Sequence, residues 1–170
     1  MSQIALSWRT KMGFIAASYA AILALAAAEI VFRHYAALRD PNSFNGGMAA
    51  AGDWMLALFI GVLLLFPTFL LALVVREREQ SSISFAKALF ILGLTGPLSA
   101  ALLLIPAISQ TDNLTGWVCG SRLLVSPVVL VGLVGCRLLA KYRLGKRLLT
   151  WATLIELGAL VLIVLGFLFH

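Results

Sequence analysis

Five long apolar runs constrain the fold of this chain more than any other feature of its sequence. They cover residues 12–32, 54–75, 85–108, 123–140 and 148–169. A hydrocarbon core of about 30 Å is crossed by about 20 helical residues, which is close to the length of each run. Polar and apolar residues do not alternate within the runs, so membrane strands are not indicated. The sequence therefore predicts an all-α, polytopic integral membrane protein, a single bundle of five transmembrane helices over residues 1–170.

The composition supports this prediction and argues against a soluble domain. Hydrophobic residues make up 62% of the chain and charged residues 12%, whereas soluble domains are nearer one half and one quarter. The net charge of +6 could indicate a nucleic-acid partner. However, the cations lie in the short connections between apolar runs, where they set membrane topology. We therefore expect the lipid bilayer as surroundings and no nucleic-acid partner.

The distribution of the cations predicts the orientation. Ten of the thirteen Lys and Arg residues fall on one side of the five predicted spans: Arg9, Lys11, Arg76, Arg78, Lys87, Arg137, Lys141, Arg143, Lys146 and Arg147. The other side has Arg33, Arg39 and Arg122. The positive-inside rule then places the N-terminus in the cytoplasm and the C-terminus outside a plasma or inner membrane. The first run also resembles a cleavable signal peptide, but its apolar character continues to Phe32, which favours an uncleaved helix.

Small residues recur along one face of the first predicted helix. They are Gly13, Ala17, Ala21, Ala24 and Ala28, spaced three or four residues apart. Such faces let helices approach closely in lipid. We expect this face to be buried, with larger residues such as Ile22 pointing elsewhere.

The three middle runs each contain a proline, at Pro67, Pro97 and Pro127. Proline removes one backbone donor and frees a carbonyl one turn earlier, so kinks are expected. In membranes these kinks are packing features or, as in transporters with broken helices, parts of a binding site. The sequence leaves both interpretations open.

Motifs for catalysis, cofactors or metals are absent from the sequence. There is no Cys-x-x-Cys, His-Glu-x-x-His, Gly-x-Ser-x-Gly, P-loop or Gly-x-Gly-x-x-Gly pattern. We therefore predict no catalytic residue, no cofactor and no metal site. Cys119, in the predicted outer loop before the fourth helix, and Cys136, near the inner end of that helix, are predicted too far apart for a disulfide.

Glu156 is the acidic residue placed deepest in an apolar run. It lies about 12 Å beyond Leu148, and an ionisable residue at that depth is costly unless it faces the protein interior. Thr68 and Thr95 are predicted at similar depths beside their prolines, so they are candidate partners for a protonated Glu156. Arg137 is the one cation expected within reach. A structural hydrogen bond and a proton or ion site both remain open.

A second set of candidates is predicted on the outer face. The connection between residues 33 and 53 is read as a long polar loop with turn signals, and long loops more often bind something. Together with the next outer connection it gives a polar cluster of Glu29, Arg33, His34, Asp53, Asp112 and Arg122. Glu29 and Arg33 have the spacing of a helical ion pair.

Three functional hypotheses follow. The first is a non-enzymatic membrane protein that serves as an accessory, assembly or structural subunit. The second is ion, proton or small-solute transport, which in so small a chain would need a homo-oligomer. The third is a membrane enzyme that works at the outer face. Small size and absent catalytic motifs favour the first, which requires a protein partner within the membrane.

Overall fold

The structure is a computed structural model that describes residues 7–39, 46–104 and 113–168. Within these ranges the chain forms six helices and no strand, which confirms the all-α prediction. The helices are α1 (Trp8–Arg39), α2 (Gly46–Val75), α3 (Glu79–Leu104), α4 (Asn113–Leu124), α5 (Ser126–Leu139) and α6 (Arg143–Leu168).

Four of the helices contain segments long and apolar enough to cross a membrane. These segments are Trp8–Arg33, Gly52–Val75, Glu79–Leu103 and Arg143–Leu165. A fifth span results if Val118–Leu124 and Ser126–Leu139, which meet at an angle of 50°, are taken together as one broken span. Four or five apolar helices of this length are those of a membrane-embedded protein.

The long polar loop expected over residues 33–53 is mostly helical, so that prediction is wrong. Helix α1 continues to Arg39 and α2 already begins at Gly46; residues 40–45 lie outside the described residues. Alanine is the strongest helix former, and alanines flank the turn signals on both sides. Helix propensity therefore extends both helices beyond their apolar segments.

The chain divides into two compact units, residues 1–74 and residues 75–170. In the first unit, α1 and α2 run antiparallel, because Tyr19 bonds Thr68 while Arg33, further along α1, bonds Asp53 near the start of α2. The Tyr19 and Thr68 hydroxyl oxygens are 2.7 Å apart. Since Thr68 donates its proton to the Leu64 carbonyl at 2.6 Å, Tyr19 is the donor to Thr68.

In the second unit, α3 and α6 share the most extensive helix contact and run parallel. Gly145 of α6 lies beside Ala86 of α3, and further along both helices Ala152 lies beside Gly93. The buried positions repeat every three or four residues along α6, at Gly145, Leu149, Ala152, Glu156 and Ala159. The buried positions of α3 are all small: Ser82, Ala86, Gly93, Gly96 and Ala100. Small side chains let the two backbones approach closely, which gives dispersion contact where lipid supplies no hydrophobic drive.

Among the described glycines of this seam, Gly93 lies closest to the backbone of the facing helix. A Cβ atom at that position would lie 3.2 Å from the Ala152 Cβ and 3.3 Å from the Ala152 carbonyl oxygen. The second of these contacts is to backbone, which cannot rotate away. A methyl group at residue 93 would therefore require the Ala152 backbone to shift by a few tenths of an ångström.

The small-residue face predicted on α1 is not buried. Gly13, Ala17, Ala21, Ala24 and Ala28 are all exposed. The buried side of α1 instead passes through Ile15, and Ile22, expected to point away, is half-buried against α2. Alanine marks a close contact only where another backbone lies opposite, so its spacing alone selected the wrong face.

Helices α4 and α5 are separate helices that meet at Val125. The sequence predicts one continuous helix here, kinked at Pro127. Pro127 occupies the first turn of α5, where its missing N–H needs no partner. Proline also removes the donor for the carbonyl of Leu123, one turn earlier. The 50° bend between the two helices follows from that lost bond.

Replacing Gly93 by alanine should destabilise the second unit, whereas the same change at Gly158 should not. Gly158, on α6, has no neighbouring atom within 4 Å of the position that a methyl group would take, while Gly93 faces backbone at 3.3 Å. We expect Gly93→Ala to lower the midpoint of thermal unfolding in detergent, by a change of about 1–3 kcal/mol in unfolding free energy. Gly158→Ala should leave the midpoint unchanged or raise it slightly. Equal midpoints for both variants would contradict the close approach at Gly93.

Candidate functional site

Glu156 faces the interior of the second unit, as its depth in the apolar run predicts. Its side chain is 0% exposed, and it lies on the buried side of α6 between Ala152 and Ala159. Both carboxylate oxygens are bound by a single guanidinium. Nη1 of Arg122 donates to Oε1 at 2.8 Å, and Nη2 donates to Oε2 at 3.0 Å. This two-pronged arrangement is the strongest geometry available to an Arg–carboxylate pair.

Arg122 uses all five of its N–H groups. Besides the two bonds to Glu156, Nε donates to the Thr95 hydroxyl at 2.8 Å and Nη1 donates to the Ser126 hydroxyl at 3.1 Å. The fifth N–H, on Nη2, donates to the backbone carbonyl of Leu92 at 3.2 Å. A guanidinium has five donors and no acceptor, so its hydrogen-bonding capacity is filled.

The two hydroxyl groups in this network each accept a hydrogen bond from Arg122 and face a backbone carbonyl oxygen. Thr95 accepts from Arg122 and passes its own proton to the Leu92 carbonyl at 2.6 Å. Ser126 accepts from Arg122 and faces the backbone carbonyl of the same residue at 3.4 Å. Every buried side-chain nitrogen or oxygen in the described residues has a partner. The network is closed, with no spare donor directed into a cavity.

Gly96 provides the space that the carboxylate occupies. A Cβ atom at residue 96 would overlap Glu156 Oε2, with the carboxyl carbon 2.8 Å away. Gly96 lies one turn of α3 after Leu92 and beside Thr95, so α3 supplies both the space for the carboxylate and two partners of the guanidinium. Helices α3, α4 and α6 thus meet at one ion pair.

The structure corrects the expected partners of Glu156. Arg137, the cation expected within reach, is exposed, and Arg122 holds the carboxylate instead. The apolar run begins at residue 123, which predicts an outer loop for Arg122; in the structure this residue lies inside α4. The expected bond between Glu156 and a threonine is also wrong: Thr95 belongs to the network, but it contacts Arg122.

The remaining sequence candidates belong to the first unit or lie beyond the described side chains. Thr68 pairs with Tyr19. Arg33 joins Glu29, from Nε to Oε1 at 2.9 Å, and Asp53, from Nη1 to Oδ1 at 3.3 Å. The side chain of His34 and all of Asp112 are outside the described residues. The predicted outer cluster therefore retains one observed triad, Glu29, Arg33 and Asp53, while Arg122 takes part in a different network.

Loss of either partner of the ion pair should destabilise the protein far more than loss of both. Removing one leaves an unpaired charge in an apolar interior, which costs about 3–5 kcal/mol, whereas an apolar pair of similar volume can be nearly neutral. We expect Arg122→Met and Glu156→Leu each to lower the thermal midpoint in detergent, and the double variant to recover much of the loss. Arg137→Met, at an exposed cation, is the matched control and should be mild. Additive effects of the two single changes would show that the pair does not couple the helices.

Comparison of the chain with protein-family models, curated proteins and solved structures finds no match. Function is therefore inferred from the residues themselves. The described part of the chain contains no group of three or more His, Cys, Asp or Glu residues that could hold a metal ion. The most completely formed polar site there is the network around Arg122 and Glu156. Every N–H group of Arg122 and both carboxylate oxygens of Glu156 have protein partners in it.

Proposed function

We propose that this chain is a small non-enzymatic integral membrane protein that serves as an accessory, assembly or structural subunit. The observation that carries the proposal is the saturation of the Arg122–Glu156 network. A site that binds or relays a substrate needs donors or acceptors directed at that substrate. All five Arg122 donors are instead directed at protein atoms, and Glu156 is fully buried. Such an arrangement supports a role in joining helices.

We also propose five membrane spans with the N-terminus in the cytoplasm. Parallel packing of α3 and α6 supports this number, because two parallel spans must be separated by a segment that crosses back. Helices α4 and α5 lie between them in the chain, so together they form that crossing despite the bend. The positive-inside rule then assigns the cation-rich connections, including the one before α6, to the cytoplasm.

Cysteine accessibility tests this topology. Single cysteines replacing exposed Gln80 and exposed Arg143 should be protected from an impermeant maleimide in intact cells, and cysteines at Asn45 or after His170 should be labelled. The buried native thiols, Cys119 and Cys136, give the background. Labelling of all four probes after membrane permeabilisation is the control. The reverse pattern in intact cells would overturn the orientation, and opposite sides for Gln80 and Arg143 would overturn the five-span count.

Transport is the second candidate function, favoured by one observation. The span formed by α4 and α5 is broken at Val125, and Arg122 lies one turn before the break with its side chain 16% exposed. Discontinuous helices with polar residues at the break form the binding sites of several transporter folds. The outer-face enzyme hypothesis has no comparable support, since Arg122 is engaged in its own network and both carboxylates of the Glu29–Arg33–Asp53 triad are bound to Arg33.

Proton flux distinguishes the two candidates. In proteoliposomes with an internal pH dye and a potassium diffusion potential, the subunit proposal expects proton entry no faster than in empty vesicles. The closed network directs no group at a proton donor outside it, because both carboxylate oxygens already accept from Arg122. Faster entry that is lost in Glu156→Gln, and kept in the control Arg137→Gln, would favour transport and contradict the proposal.

Purification in mild detergent from the native membrane tests the subunit role directly. We expect native mass spectrometry to show this chain in a fixed stoichiometry with a second membrane polypeptide. Dissociation of that complex should leave the chain folded, since its ion pair is internal. A homo-oligomer with no second polypeptide would contradict the accessory role.

A further inference from the structure

A groove in the first unit has a shape and a charge that no part of the proposed function uses. It lies between α1 and α2, has a volume of about 410 Å³, and is lined mostly by apolar side chains that include Ile22, Phe32, Phe59, Ile60 and Leu63. This volume falls within the range of about 300–1,000 Å³ found for ligand pockets. Phe32 and Phe59 are 69% and 56% exposed, so the groove is open along its length.

The groove is as deep as one leaflet of a membrane. Arg33 ends the apolar segment of α1, and Asp53 lies at the start of the apolar segment of α2, so the charged end of the groove is at the boundary of the hydrocarbon. Leu63, at the other end, is ten residues further along α2, or about 15 Å. That is half of a hydrocarbon core of about 30 Å. An acyl chain from one leaflet matches this depth.

The charged end carries one cation and two anions. Glu29 lines the groove itself, and Arg33 bonds one oxygen of Glu29 and one of Asp53. Within the described residues, the second oxygen of each carboxylate and Nη2 of Arg33 have no protein partner. Gly52 leaves room beside this guanidinium, since a Cβ there would lie 2.9 Å from Nη1. The cluster can therefore donate to one anion and accept from one cation, with a net charge of −1.

We propose that this groove binds one glycerophospholipid with an ethanolamine headgroup. One acyl chain lies in the groove, the phosphate accepts from Nη2 of Arg33, and the headgroup ammonium donates to the free oxygens of Glu29 and Asp53. The surplus negative charge disfavours a lipid whose headgroup is only anionic. A choline headgroup has no N–H to donate, so it forgoes the charge-assisted hydrogen bonds that the carboxylates offer an ethanolamine.

Native mass spectrometry of the full chain, delipidated in detergent, tests the headgroup preference. The chain is incubated with ethanolamine, choline or glycerol phospholipids that carry identical acyl chains. We expect one ethanolamine lipid per chain, retained about tenfold more than the choline lipid. A hydrogen bond to a charged group changes affinity by about this factor, and only the ethanolamine lipid can form it. Equal retention of the two, or stronger retention of the glycerol lipid, would overturn the proposal.

Two adjacent alanines give a matched test of the groove. Both are exposed, and Ala28 lines the groove whereas Ala27 does not. Ala28→Phe should fill the groove and abolish lipid retention, and Ala27→Phe should retain the lipid as the native chain does. Circular dichroism and thermal midpoints verify that both variants fold. Undiminished retention by a folded Ala28→Phe variant would place the lipid elsewhere and overturn the proposal.

The headgroup contacts are tested by the ratio of ethanolamine lipid to choline lipid that the chain retains. A general loss of folding lowers both amounts together and leaves this ratio unchanged. Asp53→Asn keeps an oxygen for Arg33 but removes the carboxylate charge that attracts the ammonium. The preference for ethanolamine over choline lipid should fall several-fold, while acyl-chain binding persists. Should Ala28→Phe fail to fold, this ratio and the preference of the native chain decide the outcome. An unchanged ratio in Asp53→Asn would contradict the assigned headgroup position.

Discussion

The ion pair between Arg122 and Glu156 is the interaction on which the second unit depends. Two opposite charges removed from water are costly separately, and their attraction compensates only when geometry is good and the remaining donors are satisfied. Here the remaining three N–H groups of Arg122 donate to Thr95, Ser126 and the Leu92 carbonyl. The pair therefore fixes three helices relative to one another, because displacement of any of them would leave a charged or polar group without its partner.

The packing of α3 against α6 is what brings those groups into range. Gly93 and Gly96 lie on the same side of α3, and each faces a different part of α6: the backbone at Ala152 and the carboxylate of Glu156. Close approach and charge pairing thus support each other. A bulkier α3 would move the carboxylate away from Arg122, while loss of the pair would leave only dispersion contacts to hold the seam. The bend at Val125 contributes by placing Arg122 and Ser126 on either side of the break.

Much of the fold could be predicted from the sequence, because apolar length and the cost of an intramembrane charge are local properties. The four continuous spans and the interior position of Glu156 follow from them. The partner of Glu156 could not be predicted in this way. Arg122 adjoins an apolar run without belonging to it, so a hydropathy boundary assigns it to a loop, whereas helical continuity and the bend at Val125 bring it inward. Residue spacing also indicates the wrong helix for the contact between small residues. Spacing identifies every helix face on which close approach is allowed, but close approach occurs only where a second helix lies opposite that face. Alanines on α1 satisfy the spacing and remain exposed, while the buried set on α3 mixes serine, alanine and glycine.

The order of residues in the ion pair has a consequence for how the protein is made. Arg122 precedes Glu156 by 34 residues, so at about 5–20 residues per second the ribosome delivers the cation about 2–7 s before its counter-charge. During that interval the carboxylate cannot shield the guanidinium. Its other partners are already available: Leu92 and Thr95 have been synthesised, and Ser126 follows within one turn. These neutral groups can accept hydrogen bonds from the nascent guanidinium until α6 is synthesised and brings the carboxylate to it.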